Sequence, residues 1–280
     1  MKFRYRIVYI RPNGRQAAAN RGRNRRRRPV DQAPGRPAPW PGTGIRVNDL
    51  GAAFATALHL VAEGDPAVLR IVGLSLRVSL AATLCAALAG LPLGALLAVT
   101  RFPGRQAIIV ALNALMGLPP VVAGLLIYLA LSRSGPLGGL GLLFTPAAMV
   151  IAQTLLIAPI LAALSRQAME PLWEEYAEQL RSFGAGPWRA VPTLLRDGRF
   201  ALLTVLLAGF GRASAEVGAV MVVGGNIEGF TRVMTTAIAL ETSKGDLPLA
   251  LALGGILMAI VLAVNVAAQV LRDAAARAGG

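Results

Sequence analysis

Five apolar stretches, each long enough to cross a lipid bilayer as a helix, constrain this sequence more than anything else in it: 71–99, 107–131, 147–164, 200–223 and 247–271. A spanning helix needs roughly 20 mainly apolar residues, each rising about 1.5 Å. Each stretch is apolar around its whole circumference rather than along one stripe, as suits a helix whose neighbours are lipid or other apolar helices. Composition agrees, since 55% of the 280 residues are hydrophobic and the mean hydropathy is +0.59, too apolar for an ordinary water-soluble domain of this size. The expected fold class is an all-α integral membrane protein with five transmembrane helices. Proline and glycine within two of them, at Gly90-Leu91-Pro92-Leu93-Gly94 and Gly117-Leu118-Pro119-Pro120, predict helix breaks. The Gly-x-x-x-Gly pair equally suits a static helix-packing seam.

The formal charge of +14 belongs mostly to one segment. Residues 1–48 hold thirteen Lys/Arg against Asp31 alone, and run through Arg25-Arg26-Arg27-Arg28. This Pro- and Gly-rich tail buries too little apolar surface to offset its ordering entropy, so disorder is expected to about residue 45, with a transmembrane domain over 49–280. It lacks the apolar core of a cleaved signal peptide. A nucleic-acid-binding arm and a solvated or headgroup-touching extension both fit a basic run; the second is the plainer reading, and nucleic acid is not an expected partner. A start codon set too far upstream would also account for it. Residues 50–62 have helical apolar spacing but are too short to span, which suggests an amphipathic interfacial helix. His59 falls there with no second ligand nearby, so a surface histidine is preferred to a metal site. Cys85, the one cysteine, has no intrachain partner and is expected to be a small buried residue.

Orientation follows from the loops. Arg101, Arg105, Arg166, Arg181, Arg189, Arg196, Arg199, Arg272 and Arg277 lie on one side, against Arg133, Arg232 and Lys244 on the other. The 165–199 segment and the C-terminus are thus expected in the cytoplasm and the N-terminus outside, although the basic tail argues the opposite way.

Enzyme chemistry finds no footing. There is no Gly-x-x-x-x-Gly-Lys-Ser/Thr loop, no His or Cys pair at metal spacing, and a single His for any catalytic triad. No cofactor is expected, and energy for any uphill work must come from another subunit.

Two segments carry functional signals. Residues 171–195 read as a helical hairpin. Glu174, Glu175 and Glu178 precede Arg181 in the first helix, as the helix dipole favours. Gly184 and Gly186 permit a tight reversal, and Pro187 suits the first position of the next helix. Phe183 and Trp188 at the turn are fit either to fill a partner's groove or to pack on their own subunit. In the fourth span, Arg212 and Glu216 stand four apart with Ser214 between them. Ionisable groups at membrane depth cost about 2.5–3.5 kcal/mol each on insertion scales and usually face a bundle interior or a polar path. Mutual pairing alone would also explain them.

The hairpin resembles the Glu-Ala-Ala loop of binding-protein-dependent importer permeases, with Glu178-Gln179-Leu180 at the motif's first three positions, Gly184 at its glycine and Leu194 at its isoleucine. Gln179 and Leu180 replace two alanines, and Arg196-Asp197 replaces Leu-Pro. The stretch Arg212-Ala213-Ser214-Ala215-Glu216-Val217-Gly218-Ala219 resembles molybdate and tungstate permeases, and Gly224-Gly225-Asn226-Ile227 with the segment 231–246 is similar to the tungstate branch. The resemblance covers about 50–271. It implies a type I ABC importer permease in the bacterial inner membrane, acting as a homodimer with a cytoplasmic ATPase and an extracytoplasmic oxyanion-binding protein. The implied cargo is an oxyanion, with tungstate first and molybdate or sulfate as alternatives. The coupling loop would use Glu178, Arg181, Phe183, Gly184, Gly186 and Trp188, and the translocation path Arg212, Ser214 and Glu216. An external loop carrying Thr231, Arg232, Thr235 and Thr236 would meet the anion or its carrier, or simply water. A membrane channel or receptor without an ATPase is the reading from a different class.

Overall fold

The computed structural model describes residues 66–278, with Gly51 and Ala55. The basic tail, most of the interfacial segment and His59 lie outside the described residues. Every regular element among the described residues is helical. In chain order they are α1 (Pro66–Val99), α2 (Arg105–Met116), α3 (Pro120–Leu131), a short 3-10 turn (Gly138–Leu140), α4 (Pro146–Ser182), α5 (Pro187–Asp197), α6 (Arg199–Ser214), α7 (Gly218–Gly224), α8 (Met234–Lys244) and α9 (Leu247–Ala278).

Helices α1, α4 and α9 are each long and apolar enough to cross a membrane alone. Two bent pairs complete the set: α2 and α3 meet at 100°, and α6 and α7 at 58°. Three crossings therefore stand on single helices, or five if each bent pair is one span. The first bend falls at the expected Gly-Leu-Pro-Pro sequence. Pro119 adopts an extended backbone and Pro120 starts α3, where its missing N–H costs nothing.

The break expected at Gly90–Gly94 is not present: α1 continues through Pro92. Packing against α4 explains this. A Cβ at Gly90 would lie 2.9 Å from the Ala158 carbonyl oxygen, and one at Gly94 would collide with that of Ala162. Ser165 Oγ also donates to the Leu91 carbonyl at 2.9 Å. The glycines are a close-approach seam, and α4 splints the proline turn from outside.

The segment 165–182 is not a loop after the third span but its direct continuation, within the 37 residues of α4. Pro171 costs one backbone hydrogen bond. Around it, Arg166 pairs with Glu170 at 2.6 Å, Arg105 of α2 reaches the same carboxylate at 2.8 Å, and Met169 is fully buried. The local pair, the Arg105 contact and the burial of Met169 hold the helix across the proline.

The core is built in tiers along α1 and α4. Val78, Ala123, Ile127, Met149, Leu156 and Val220 form one, and Ala82, Ala86, Ile157, Leu161 and Val205 the next. At the hairpin end, Ala95 and Val99 pack with Met169, Ala190, Val191 and Leu194. At the opposite end of α1, Val68 packs with Met234, Ala252 and Ile256. The outward faces stay apolar, with Leu80, Leu84 and Leu88 on α1 and Met258, Leu262 and Val266 on α9 exposed. Such rows suit a surround as apolar as the core. Cys85 lies on this outer face of α1 and is exposed rather than buried, because only one side of the helix meets protein.

Candidate functional site

The membrane-depth charges meet at a helix break. α6 ends at Ser214 and α7 starts at Gly218, so Glu216 sits in the connection rather than on a helix face. The pair still forms: an Arg212 guanidinium nitrogen lies 2.7 Å from Glu216 Oε2. The second carboxylate oxygen accepts from the backbone N–H of Ala219 at 3.1 Å, meeting one of the free donors at the start of α7. The Glu216 side chain is 3% exposed and that of Arg212 37%. Thr235 of α8 donates to the Glu216 carbonyl at 2.8 Å, and Gln153 of α4 donates to the Ala213 carbonyl at 3.0 Å. Three elements thus pin one break.

Gln153, Glu216 and Thr235 line a narrow cleft together with Ser75, Ser79 and Ser214, among apolar neighbours such as Val233, Leu257 and Ile260; its free volume of about 10 Å³ is the room of one water. Its contents are a paired charge, hydroxyls and one amide oxygen, Gln153 Oε1, that is buried without a hydrogen-bond partner. Ser214 and Glu216 are therefore brought together at the cleft with Gln153, Ser75 and Ser79, and Arg212 is joined to them through its ion pair with Glu216. Those three were readable only as polar interruptions within apolar runs. Among the described residues no group of three His, Cys, Asp or Glu side chains is arranged to hold a metal ion.

The external-loop residues divide. Thr231 is buried, and its hydroxyl accepts from the Ile227 N–H at 2.9 Å and donates to the Gly224 carbonyl at 2.6 Å. Thr236 is buried too; its hydroxyl accepts from Val233 N–H at 3.1 Å and donates to the Val233 carbonyl at 3.0 Å, closing the first turn of α8. Both serve the loop's own backbone and have no hydroxyl turned to solvent. Thr235 borders the cleft, and Arg232 lies 3.5 Å from Glu228 on the loop.

At the other end of the bundle the hairpin reverses as its glycines allow. Gly184 takes φ +69°, the Gly184 N–H donates to Arg181 O at 2.9 Å and the Ala185 N–H to Leu180 O at 2.9 Å. These two bonds make the Schellman ending of a helix. Gly186 then precedes Pro187 at the first position of α5. The Arg181 guanidinium lies over the Trp173 ring at 5.4 Å. Phe183 and Trp188 are 85% and 77% exposed at the tip, and Glu178 is exposed beside them. α5 turns Ala190, Val191 and Leu194 inward. The tip is thus apolar, rigidly mounted and uncovered, which is unusual for side chains of that size unless something docks there.

Comparison with known proteins bears on both ends. The family described as "Binding-protein-dependent transport system inner membrane component" matches residues 90–277. The chain is 41% identical over 212 residues to a tungstate uptake system permease protein, TupB, of Peptoclostridium acidaminophilum, covering 76% of this chain and 93% of that one. It is 40% identical over 208 residues to a probable anion ABC transporter permease protein of Haloferax volcanii, covering 72% and 90%. A molybdenum transport system permease protein, ModB, of Azotobacter vinelandii is 31% identical over 189 residues, covering 64% and 81%. The family match spans both the hairpin and the helix break, and the chain belongs to the family of inner membrane components of binding-protein-dependent transport systems.

Proposed function

We propose that this chain is the permease subunit of an ABC importer for tungstate, with two copies forming the path and a separate cytoplasmic ATPase supplying the energy. The observation that carries the cargo is the 41% identity over nearly the whole of a tungstate uptake permease, against 31% for a molybdenum permease. The observation that carries the mechanism is the exposed apolar tip on a braced hairpin.

In this reading the five apolar stretches are five spans of a type I permease in the bacterial inner membrane, and the bent pairs each cross once. The tail and the membrane domain part near residue 48. The hairpin faces the cytoplasm, where Phe183 and Trp188 enter a groove of the ATPase while Glu178 and Arg181 flank it. Gly184 and Gly186 set the turn that presents them. When two ATPases close on ATP, they move the two hairpins together. The hairpin core is shared with the end of α1 and with α4, and Glu170 ties it to Arg105 and Arg166. A push at the tip is therefore delivered to the spanning helices as rigid-body motion rather than dissipated in a loop.

A dianion crosses hydrocarbon only if polar groups replace its water. The cleft at the α6–α7 break offers the hydroxyls of Ser75, Ser79, Ser214 and Thr235 and a carboxylate already neutralised by Arg212, so that on opening it presents polar groups without an unpaired charge. Such a lining passes an oxyanion without retaining it, and capture falls to an extracytoplasmic binding protein meeting the opposite end of the bundle.

The test is reconstitution. Detergent-solubilised wild-type chain should carry its ATPase through purification, and the Phe183→Ala, Trp188→Ala double variant should lose it while its thermal unfolding is unchanged. Proteoliposomes with the complete system should take up tungstate in preference to molybdate and sulfate. An ATPase absent even from gently solubilised wild type would remove the importer reading in favour of a channel or receptor.

A further inference from the structure

A charge stands inside the first apolar stretch. Arg77 stands eleven residues into α1, exposed, with no hydrogen bond or ion pair among the described residues. An unpartnered guanidinium there is costly unless water or a ligand reaches it. Arg70 and Arg77 are seven apart and so share one helix face, with Gly73 between them. A Cβ at Gly73 would meet nothing within 4 Å, so this face of α1 is open.

The loop after α7 forms the facing wall. Arg70, Arg77 and Arg232, with Glu228 and Phe230, line a cavity of about 640 Å³, within the usual range for small-ligand sites. Arg70 spends one N–H on the Pro66 carbonyl. Arg232 makes only a long contact of 3.5 Å to Glu228, a carboxylate that is 84% exposed. Arg232 Nε is buried without a hydrogen-bond partner. Three arginines against one glutamate leave a net charge of +2 in the cavity.

We infer that this cavity is a binding site for a doubly charged tetrahedral oxyanion, held by Arg77 and Arg232 with Arg70 as a third lining charge. A dianion balances the charge in full, and planar guanidinium forks match tetrahedral oxygens in pairs. The site lies at the end of α1 packed with α8 and α9, whereas the hairpin packs on the other end, roughly 30 Å from Arg77 along the helix. It is therefore a receiving site on the face remote from the ATPase, lined by a different set of residues from the cleft at the helix break. The oxyanion's identity rests on the importer reading above. A phospholipid headgroup offers the same tetrahedral chemistry with one charge fewer.

The experiment uses the full chain with its ATPase in nanodiscs, carrying Phe230→Trp as a reporter in the cavity wall. Fluorescence is followed against sodium tungstate in phosphatidylcholine discs, relative to the parent without the reporter. A saturable change competed by sulfate is expected, weakened about 10-fold or more by Arg77→Gln and by Arg232→Gln, as loss of a charged hydrogen-bond donor implies, and largely restored by Arg77→Lys. If Arg77→Gln fails to assemble with the ATPase, Arg70→Gln in the exposed first turns serves in its place. In phosphatidylglycerol discs, native mass spectrometry reports retained lipid. A tungstate response without retained lipid assigns a free oxyanion; lipid retained by wild type, lost in Arg77→Gln and blocking the response assigns the headgroup phosphate. No response and no retained lipid overturns the site. If tungstate uptake persists in that last case, the site alone has failed. If the cavity binds tungstate and the reconstituted system transports none, the importer reading has failed instead.

Discussion

Replacing Arg212 with Ala isolates what the membrane-depth ion pair contributes. The Glu216 carboxylate would then be buried at 3% exposure with a single remaining donor, the Ala219 N–H at 3.1 Å. Two unit charges about 4 Å apart attract by about 4 kcal/mol at an effective dielectric near 20, and breaking a buried pair from one side costs about 3–5 kcal/mol. Arg212 is itself 37% exposed, so solvent already screens part of that attraction. The expected loss is therefore about 2–3 kcal/mol of unfolding free energy. Glu216→Gln removes the charge but keeps an oxygen for Ala219, and should cost less. The decisive comparison is the double variant, in which no charge is left buried. If the penalty comes from an abandoned carboxylate, Arg212→Ala/Glu216→Gln should be more stable than Arg212→Ala by about 1 kcal/mol or more. Denaturation in mixed micelles by increasing SDS, followed by circular dichroism, reads this cycle directly. A double variant no more stable than Arg212→Ala would refute the reasoning, and would mean that the pair's environment is wetter than its burial implies.

Three further outcomes are expected. Gly94→Leu should destabilise the chain by about 1–3 kcal/mol through overpacking against Ala162 and Ser165, while Gly73→Ala, with open space at its Cβ, should change stability by less than about 1 kcal/mol; both are read by thermal unfolding. Thr231→Val leaves the Ile227 N–H and the Gly224 carbonyl without their partner and should cost about 1–3 kcal/mol, with faster hydrogen exchange at Ile227 as its local signature. Replacing Pro119 and Pro120 together with Ala removes the block to a continuous α2–α3 helix; tungstate uptake should fall while the protein still inserts, and unchanged uptake would show that the 100° bend is not needed for gating.

Features that depend on a few neighbouring residues were legible in the sequence alone. Apolar length set the membrane class and the three single-helix crossings. Pro119-Pro120 marked the first bend, Gly184 and Pro187 fixed the hairpin reversal through backbone angles only glycine and proline favour, and a spacing of four brought Arg212 to Glu216. Contacts distant in sequence decided the rest. Pro92 and Pro171 carry the same local penalty as Pro119, yet α1 and α4 run through them, because the Gly90–Gly94 seam and the Arg105–Glu170 pair brace those turns from another helix. Thr231, Thr235 and Thr236 are equivalent as hydroxyls in a polar loop; only the fold buries two and turns the third toward Glu216. Arg77 and Arg232 lie 155 positions apart in the chain, and no periodicity links them. Backbone preference and hydropathy act over one or two helical turns, whereas shared cavities and splinted prolines arise only when helices pack, and packing is where this protein's candidate sites were made.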